Sequence, residues 1–319
     1  MKGLKKIALA TAVAAAPFAA QAELQAMDDS MMGNVTGQAG VTIELETQVS
    51  IGQFTYTDEG TFAVTGIELG GAGVSTAGAA DPAGYNSLLD QLKIDIDVAD
   101  DGDAIIHVGS LALVDTDGDG VGDAPAPIDW GFTAETMELQ GNGGQNTVLV
   151  SGLDAWGKLG ALDIQVDTDN VLDGSGNEIA GSGTLNIDAA FTVENMDFDV
   201  EFLAVGVRGM SIKSSQSGGE VFSDAELASI FGVTDPTNPD DPATRKFGLA
   251  QAGYAIVGLD VYQGDGLGES AETGVLRIDV DDVLMDVNID ETLIGGTNIG
   301  TIGIDNLHIS NTKLAVYGH

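Results

Sequence analysis

Residues 184–193 read TLNIDAAFTV, and the order of oily and polar side chains in that stretch decides how the chain folds. Leu185, Ile187, Ala189, Phe191 and Val193 fall on every second residue, with Asn186 and Asp188 between them. A period of two is the period of an extended strand, whose successive side chains point to opposite sides. One side of such a strand is dry and the other wet. The same scheme recurs in both directions. VTIELETQVSIG (41–52) places Val41, Ile43, Leu45, Thr47 and Val49 on one side. LKIDIDV (92–98) sets Ile94, Ile96 and Val98 against Asp95 and Asp97, and LRIDV (276–280) repeats the alternation. These segments predict an all-β protein.

The alternation also slips. After Val193 the apolar set resumes at Met196, Phe198, Val200 and Phe202, one parity away. After Val280 it resumes at Val283, Met285, Val287 and Ile289. The end of the chain runs Ile302, Ile304, then Leu307, Ile309, then Leu314, Val316. Each slip turns the side chains to the other face unless a bulge, a tight turn or a corner intervenes. Tight hairpins at Glu194-Asn195 and Asp281-Asp282 would give elongated, mainly antiparallel sheets in a sandwich-like arrangement. Regular corners would give a β-solenoid, the alternative fold. The absence of a fixed repeat length favours the antiparallel sheets.

Two short helices interrupt the strands. Leu24, Met27, Met31 and Val35 have helical spacing within 23–40. Ser223-Asp224-Ala225-Glu226 is a capping box opening a helix over 223–231 that Gly232 ends. TDPTNPDDPATRK (234–246) then reads as a surface loop and a sub-boundary inside a β-rich domain of residues 41–319.

Residues 1–22, MKGLKKIALATAVAAAPFAAQA, carry Lys2, Lys5 and Lys6, an apolar run and a small-x-small ending. That is the layout of a secretory signal peptide. Cleavage before Glu23 leaves 297 residues (319 − 22) with 50 acidic and 8 basic side chains (11 − 3), a formal charge of −42. Of the acids, 35 are Asp, which favours turns and loops over helices. Such a charge excludes nucleic acid and anionic lipid as partners. With no Cys, the exported chain is expected to hold together by core and ladders, with bound metal as a further help. No later stretch is apolar for the length of a transmembrane helix.

DTDGDGVGDA (115–124) is the one strong candidate for a bound ion. Asp115, Asp117 and Asp119 occupy places one, three and five, Gly120 place six, Val121 place seven and Asp123 place nine. Calcium takes six to eight oxygens, and this spacing offers carboxylates plus the Val121 carbonyl in the manner of an EF-hand loop. Ala126 stands where the bidentate acid would be, and Asp129 is the available substitute. Calcium would act structurally. DTDNVLDGSGNE (167–178) is a weaker match, with Asp167, Asp169, Asp173 and Glu178.

Enzyme signatures are poor. His107, His308 and His319 are widely separated, and neither a nucleophile elbow nor a phosphate-binding loop occurs. Trp130 and Trp156 are expected in the core. No catalysis is expected.

The leader, the following ELQAMDDSMMGNVTGQAGVTIELETQVSIGQFTYTDEG (23–60) and the ending IGTIGIDNLHISNTKLAVYGH (299–319) resemble the FilA-type pilus-system proteins of Gram-negative bacteria. VTGQAGVTIE (35–44) carries most of that resemblance. It implies an exported structural or interaction protein working beside a pilus-like or adhesive surface system, in the periplasm, at the outer-membrane surface or in an extracellular filament. It brings no catalytic residues. The expected partners are other envelope or pilus-system proteins, with self-association through edge strands. The alternative function is a calcium-dependent polysaccharide-binding module or hydrolase. An outer-membrane barrel fits less well, because aromatic residues are only 5% of the chain.

Overall fold

The computed structural model describes residues 40–81, 84–99, 101–115, 120, 122, 124–141, 143–170, 176, 183–216, 221–238 and 241–318. The expected leader (1–22) and all but Gly40 of the expected N-terminal helical segment (23–40) lie outside them. Residues 40–319 form one compact unit.

The protein is all-β, and every strand pairing among the described residues is antiparallel. A single sheet contains twelve strands, and a two-stranded hairpin stands apart. The strands are β1 (Val41–Thr47), β2 (Val49–Thr57), β3 (Thr61–Gly70), β4 (Leu89–Val98) and β5 (Ala104–Ser110). The hairpin is β6 (Leu113–Val114) with β7 (Ala124–Pro125). There follow β8 (Ile128–Gln140), β9 (Asn146–Asp167), β10 (Thr184–Val200), β11 (Val205–Lys213), β12 (Ala255–Gly264), β13 (Val275–Ile294) and β14 (Thr297–Val316). The helices are α1 (Thr76–Ala79), α2 (Asp224–Phe231) and α3 (Pro242–Gln251).

Three strands are long enough to pair with two shorter strands laid end to end. β9 takes β8 along one half of one edge and β5 along the other. β10 and β13 between them hold β12 over one half and β11 over the other. At one level the sheet runs β14-β13-β12-β10-β9-β5-β4-β1, and at the other β14-β13-β11-β10-β9-β8-β3-β2. It is eight strands wide at both levels. Among the described pairings β1, β2 and β14 each have a single neighbour, so β1–β2 and β14 are its two open edges.

The long strands account for the slips in alternation. The expected hairpins at Glu194-Asn195 and Asp281-Asp282 are absent, because both pairs lie inside the continuous strands β10 and β13. Register shifts occur there instead, between Val193 and Asn195 opposite β9 and between Leu259 and Gly258 opposite β13. An extra residue in one strand of a pair restores the original facing after a parity change. Asn306 plays that part in β14, at φ 56, whereas Asn311, at φ 53, stands opposite Asp281 with no shift of the β13–β14 register. Carboxylates fasten several of these bulges. The Asn306 N–H donates to Asp286 Oδ1 (2.7 Å), and the Gly209 N–H to Asp197 Oδ1 (2.7 Å). Gly209 has φ +63, a backbone setting that glycine adopts without strain.

The helix over 223–231 forms as the capping box requires. The Ser223 hydroxyl accepts from the Glu226 N–H, the Glu226 carboxylate accepts from the Ser223 N–H, and Gly232 ends the helix at φ 71. The loop expected over 234–246 is shorter than its composition suggests. Pro242 is the first residue of α3, and the Asp241 side chain caps it by accepting from the Ala243 N–H.

Candidate interaction face

Residues directly opposite on antiparallel strands share a face, so the register fixes what each side of the sheet presents. One row crosses all eight strands as Ile43, Ile94, Val108, Leu162, Ala189, Val257, Val283 and Ile309. At the other level a row runs Val49, Leu69, Phe132, Ala155, Met196, Met210, Ile289 and Ile302. Outside these lie a third row, from Val41 through Ile187 to Thr312, and a fourth, from Phe54 through Val200 to Thr297. None of the four contains a charged residue, in a chain with 50 acids.

The row one residue away is different. It reads Thr42, Asp95, His107, Asp163, Asp188, Gly258, Asp282 and Ser310. This is the acid face, and it is the face that carries the helices. Leu227 and Phe231 of α2 and Ala250 of α3 form a core with Ala190, Ile256 and Leu284, an apolar island on the acid side. Around the island, contact is polar. Lys246 Nζ of α3 lies 2.6 Å from Asp188 and Arg245 3.3 Å from Asp163, while His107 Nδ1 is 2.6 Å from the other Asp163 oxygen. Burial pushes both carboxyls up, but the partners differ in what they return. For Asp163, the His107 bond and the Arg245 charge outweigh burial and hold the carboxyl below its ordinary value. For Asp188, burial wins over Lys246 and the carboxyl stays raised.

A second strap, residues 71–81 with α1 and residues 84–88, crosses the same face. The Ala72 N–H donates to Asp129 Oδ2 (2.7 Å) and the Thr76 N–H to Asp154 Oδ2 (2.9 Å). Tyr85 packs on Trp156, ring centroids 5.5 Å apart, and Trp156 is only 8% exposed. Gly131 permits the approach: a Cβ there would stand 2.4 Å from the Gly71 carbonyl oxygen. Further along, Arg277 is 8% exposed yet fully engaged. It donates to Asp279, to the Leu314 carbonyl and to the Asp265 carbonyl, and lies over the Tyr262 ring.

Among the described residues no helix lies on the uncharged face. Near its middle Leu92, Val108 and Ile128 are buried against Leu45, Ile94, Leu159 and Leu162 in a small cluster of the sheet's own side chains. The other central side chains are half-buried, and toward the edges exposure rises to 53% for Val41 and Phe54 and 62% for Tyr56 on β1–β2, and to 51% for Val316 on β14. Monomeric soluble proteins rarely show an apolar patch larger than a few hundred Å2. The alternation had predicted one dry and one wet face; it gave no sign that the inserts would cover the wet one.

The candidate calcium loop falls between β6 and β7 in the chain. The Asp115 Oδ2 accepts the Gly120 N–H at 2.6 Å. Asp117, Asp119, Val121 and Asp123 lie outside the described residues, as do Asp173 and Glu178 of the weaker loop. In the latter, Asp169 N–H donates to Asp167 Oδ1 (2.8 Å). No group of three or more metal-ligating side chains is gathered among the described residues. Nor is any helix among them long and apolar enough to cross a membrane.

Residues 1–100 match a family of unknown function (DUF6160). That span takes in β1, β2, β3, β4 and the strap. No curated protein and no solved structure matches the chain.

Proposed function

We propose that this is an exported structural or interaction protein of the cell envelope, acting by presenting the uncharged face of its sheet to another macromolecule. One observation carries the reading: eight strands side by side offer an apolar surface without a charge, while the acids and every described helix gather on the reverse. Burial of that surface is the largest favourable energy the molecule has left unused. A filament or adhesion system is the setting we propose, on the resemblance of residues 23–60 and 299–319. Those two stretches contain β1–β2 and most of β14, the two open edges of the sheet. Calcium at Asp115, Asp117, Asp119, Val121 and Asp123 would stiffen the connection between β6 and β7 in the same scheme.

Two measurements on the mature chain test this. An apolar dye should light up on the monomer, and a charge placed on the face, as in Val257→Lys, should quench that signal while a charge at Ser310 on the other face leaves it. A dye signal indifferent to Val257 would remove the face from the proposal. Calcium should raise the melting temperature of the parent and not of Asp117→Ala; equal curves would remove the ion.

A further inference from the structure

Resting on that reading, we infer that the occupant of the uncharged face is a second copy of this chain, packed sheet against sheet so that the two apolar faces form one core. The acid faces and their helices then look outward from both sides.

Area favours this partner. Eight strands at ~4.8 Å spacing and about fifteen residues at ~3.3 Å give a face on the order of 2,000 Å2 per copy. Permanent dimers bury interfaces of that class, more apolar than transient ones. Two sheets facing each other at roughly 10 Å make an ordinary β core, here contributed half by each copy. The segment between the expected cleavage point and the first described strand is too small to do the same. Wound as a helix, its 18 residues (40 − 22) would extend about 27 Å and cover a small fraction of the face.

Charge and the inserts exclude the lipid alternatives. A membrane barrel with apolar outside and acids inside would need the acid face to line its lumen. An eight-stranded barrel has room there for side chains only, whereas this acid face carries α2, α3 and the second strap. An open sheet lying in hydrocarbon would leave the unpaired N–H and C=O groups of β1–β2 and β14 without partners, a cost no spanning structure bears. The formal charge of −39 repels an anionic surface as well. A second copy meets none of these penalties: the face is uncharged, hence self-complementary, the edges stay at a wet rim, and the acids of the two copies stand apart.

The test is sedimentation of the mature chain without detergent across a concentration series. We expect a dimer that dissociates on dilution, and Ile187→Glu with Val257→Glu should weaken it by about a hundredfold or more, since a charge would be buried there unpaired. Ser310→Glu, on the other face of β14, should leave it intact. Because the chain has no cysteine, Ala189→Cys carries a single reporter dye, which should be shielded from an aqueous quencher at micromolar and exposed at nanomolar concentration. That readout holds even if the double variant fails to fold. A parent that stays monomeric but captures zwitterionic vesicles or detergent micelles overturns the second copy and leaves the interaction face standing. A monomer that binds neither overturns both. Oligomers that grow past two and ignore Ile187 and Val257 overturn the inference in favour of edge pairing.

Discussion

Ile187 and Asp188 follow one another on β10 and look out of opposite faces of the same sheet. Ile187 is flanked by Ile164 and Leu259, and no described helix packs on that side. Asp188 is flanked by Asp163 and Gly258 and covered by α3, whose Lys246 meets it at 2.6 Å. In most sheets the oily residue would have the cover and the acid would have the water. Here the inserted segments bind the acid side through ion pairs and through backbone N–H groups donated to carboxylates, and the apolar contacts there are the small island of Ala190, Ile256 and Leu284 and the packing of Tyr85 on Trp156. The difference teaches that burial within one chain follows where its insertions attach; the face they leave bare is the one we propose a partner covers.

The sharpest way to break the comparison is to truncate one large apolar side chain on each face. Leu284 is 1% exposed beneath α2 and α3. Leu284→Ala leaves a cavity there and should cost about 2–5 kcal/mol. Ile187→Ala, measured at a concentration where the chain is monomeric, removes carbon that still meets water and should cost about 1 kcal/mol or less. Urea unfolding gives both. Equal costs would show that the uncharged face is already buried within one copy.

A smaller effect sharpens the acid side. Lys246→Met leaves the apolar stem of the side chain in place and strips Asp188 of its cation. Removing one partner of a largely covered pair should destabilise at neutral pH by about 1–2 kcal/mol. The Asp188 carboxyl, already raised by burial, rises further in the variant. A raised carboxyl binds its proton more tightly when folded, so lowering the pH through that value stabilises the fold. The deficit of Lys246→Met should therefore shrink as pH falls from 7 toward 5. A deficit constant with pH would mean that α3 is held by its apolar contacts alone.

Much of this was legible in the sequence. The period of two in TLNIDAAFTV and LKIDIDV fixes both the strands and the membership of each face, since the register later joins Ile94, Leu162-type and Ala189-type positions row by row. Ser223 and Glu226 announce α2 because a capping box is local chemistry. What failed was what depends on partners distant in sequence. Glu194-Asn195 and Asp281-Asp282 look like hairpin turns until β9 and β12 are seen alongside, where one unmatched residue makes a bulge. α3 hides in a Pro- and Asp-rich stretch because its capping residue and its Pro242 are the same residue types that build loops. The choice of face for the inserts was illegible, since it rests on single contacts such as Lys246 to Asp188 and Ala72 to Asp129.

Acids on the acid face are not uniformly at ease, and Asp281 measures how much crowding that face tolerates. It is the bulged residue of β13, and its carboxyl is pushed up to about 6 by burial and by the negative charge of Asp260, with which it shares a hydrogen bond. The folded value lies above the unfolded one, so the proton is held more tightly in the folded chain. Stability from this pair is thus full below about pH 4, declines as pH rises toward 6, and is absent at 7, where two carboxylates repel. Asp281→Asn keeps the shape and a hydrogen bond to Asp260 while removing the charge. With solvent screening of a partly exposed group discounted, the gain at pH 7 should be about 1 kcal/mol, vanishing near pH 4. Thermal unfolding of parent and variant across that range reads it directly. A variant less stable than the parent at pH 7 would mean that the Asp281 charge is wanted, most simply by a cation between the two carboxylates, and the acid face would then be a binding surface in its own right.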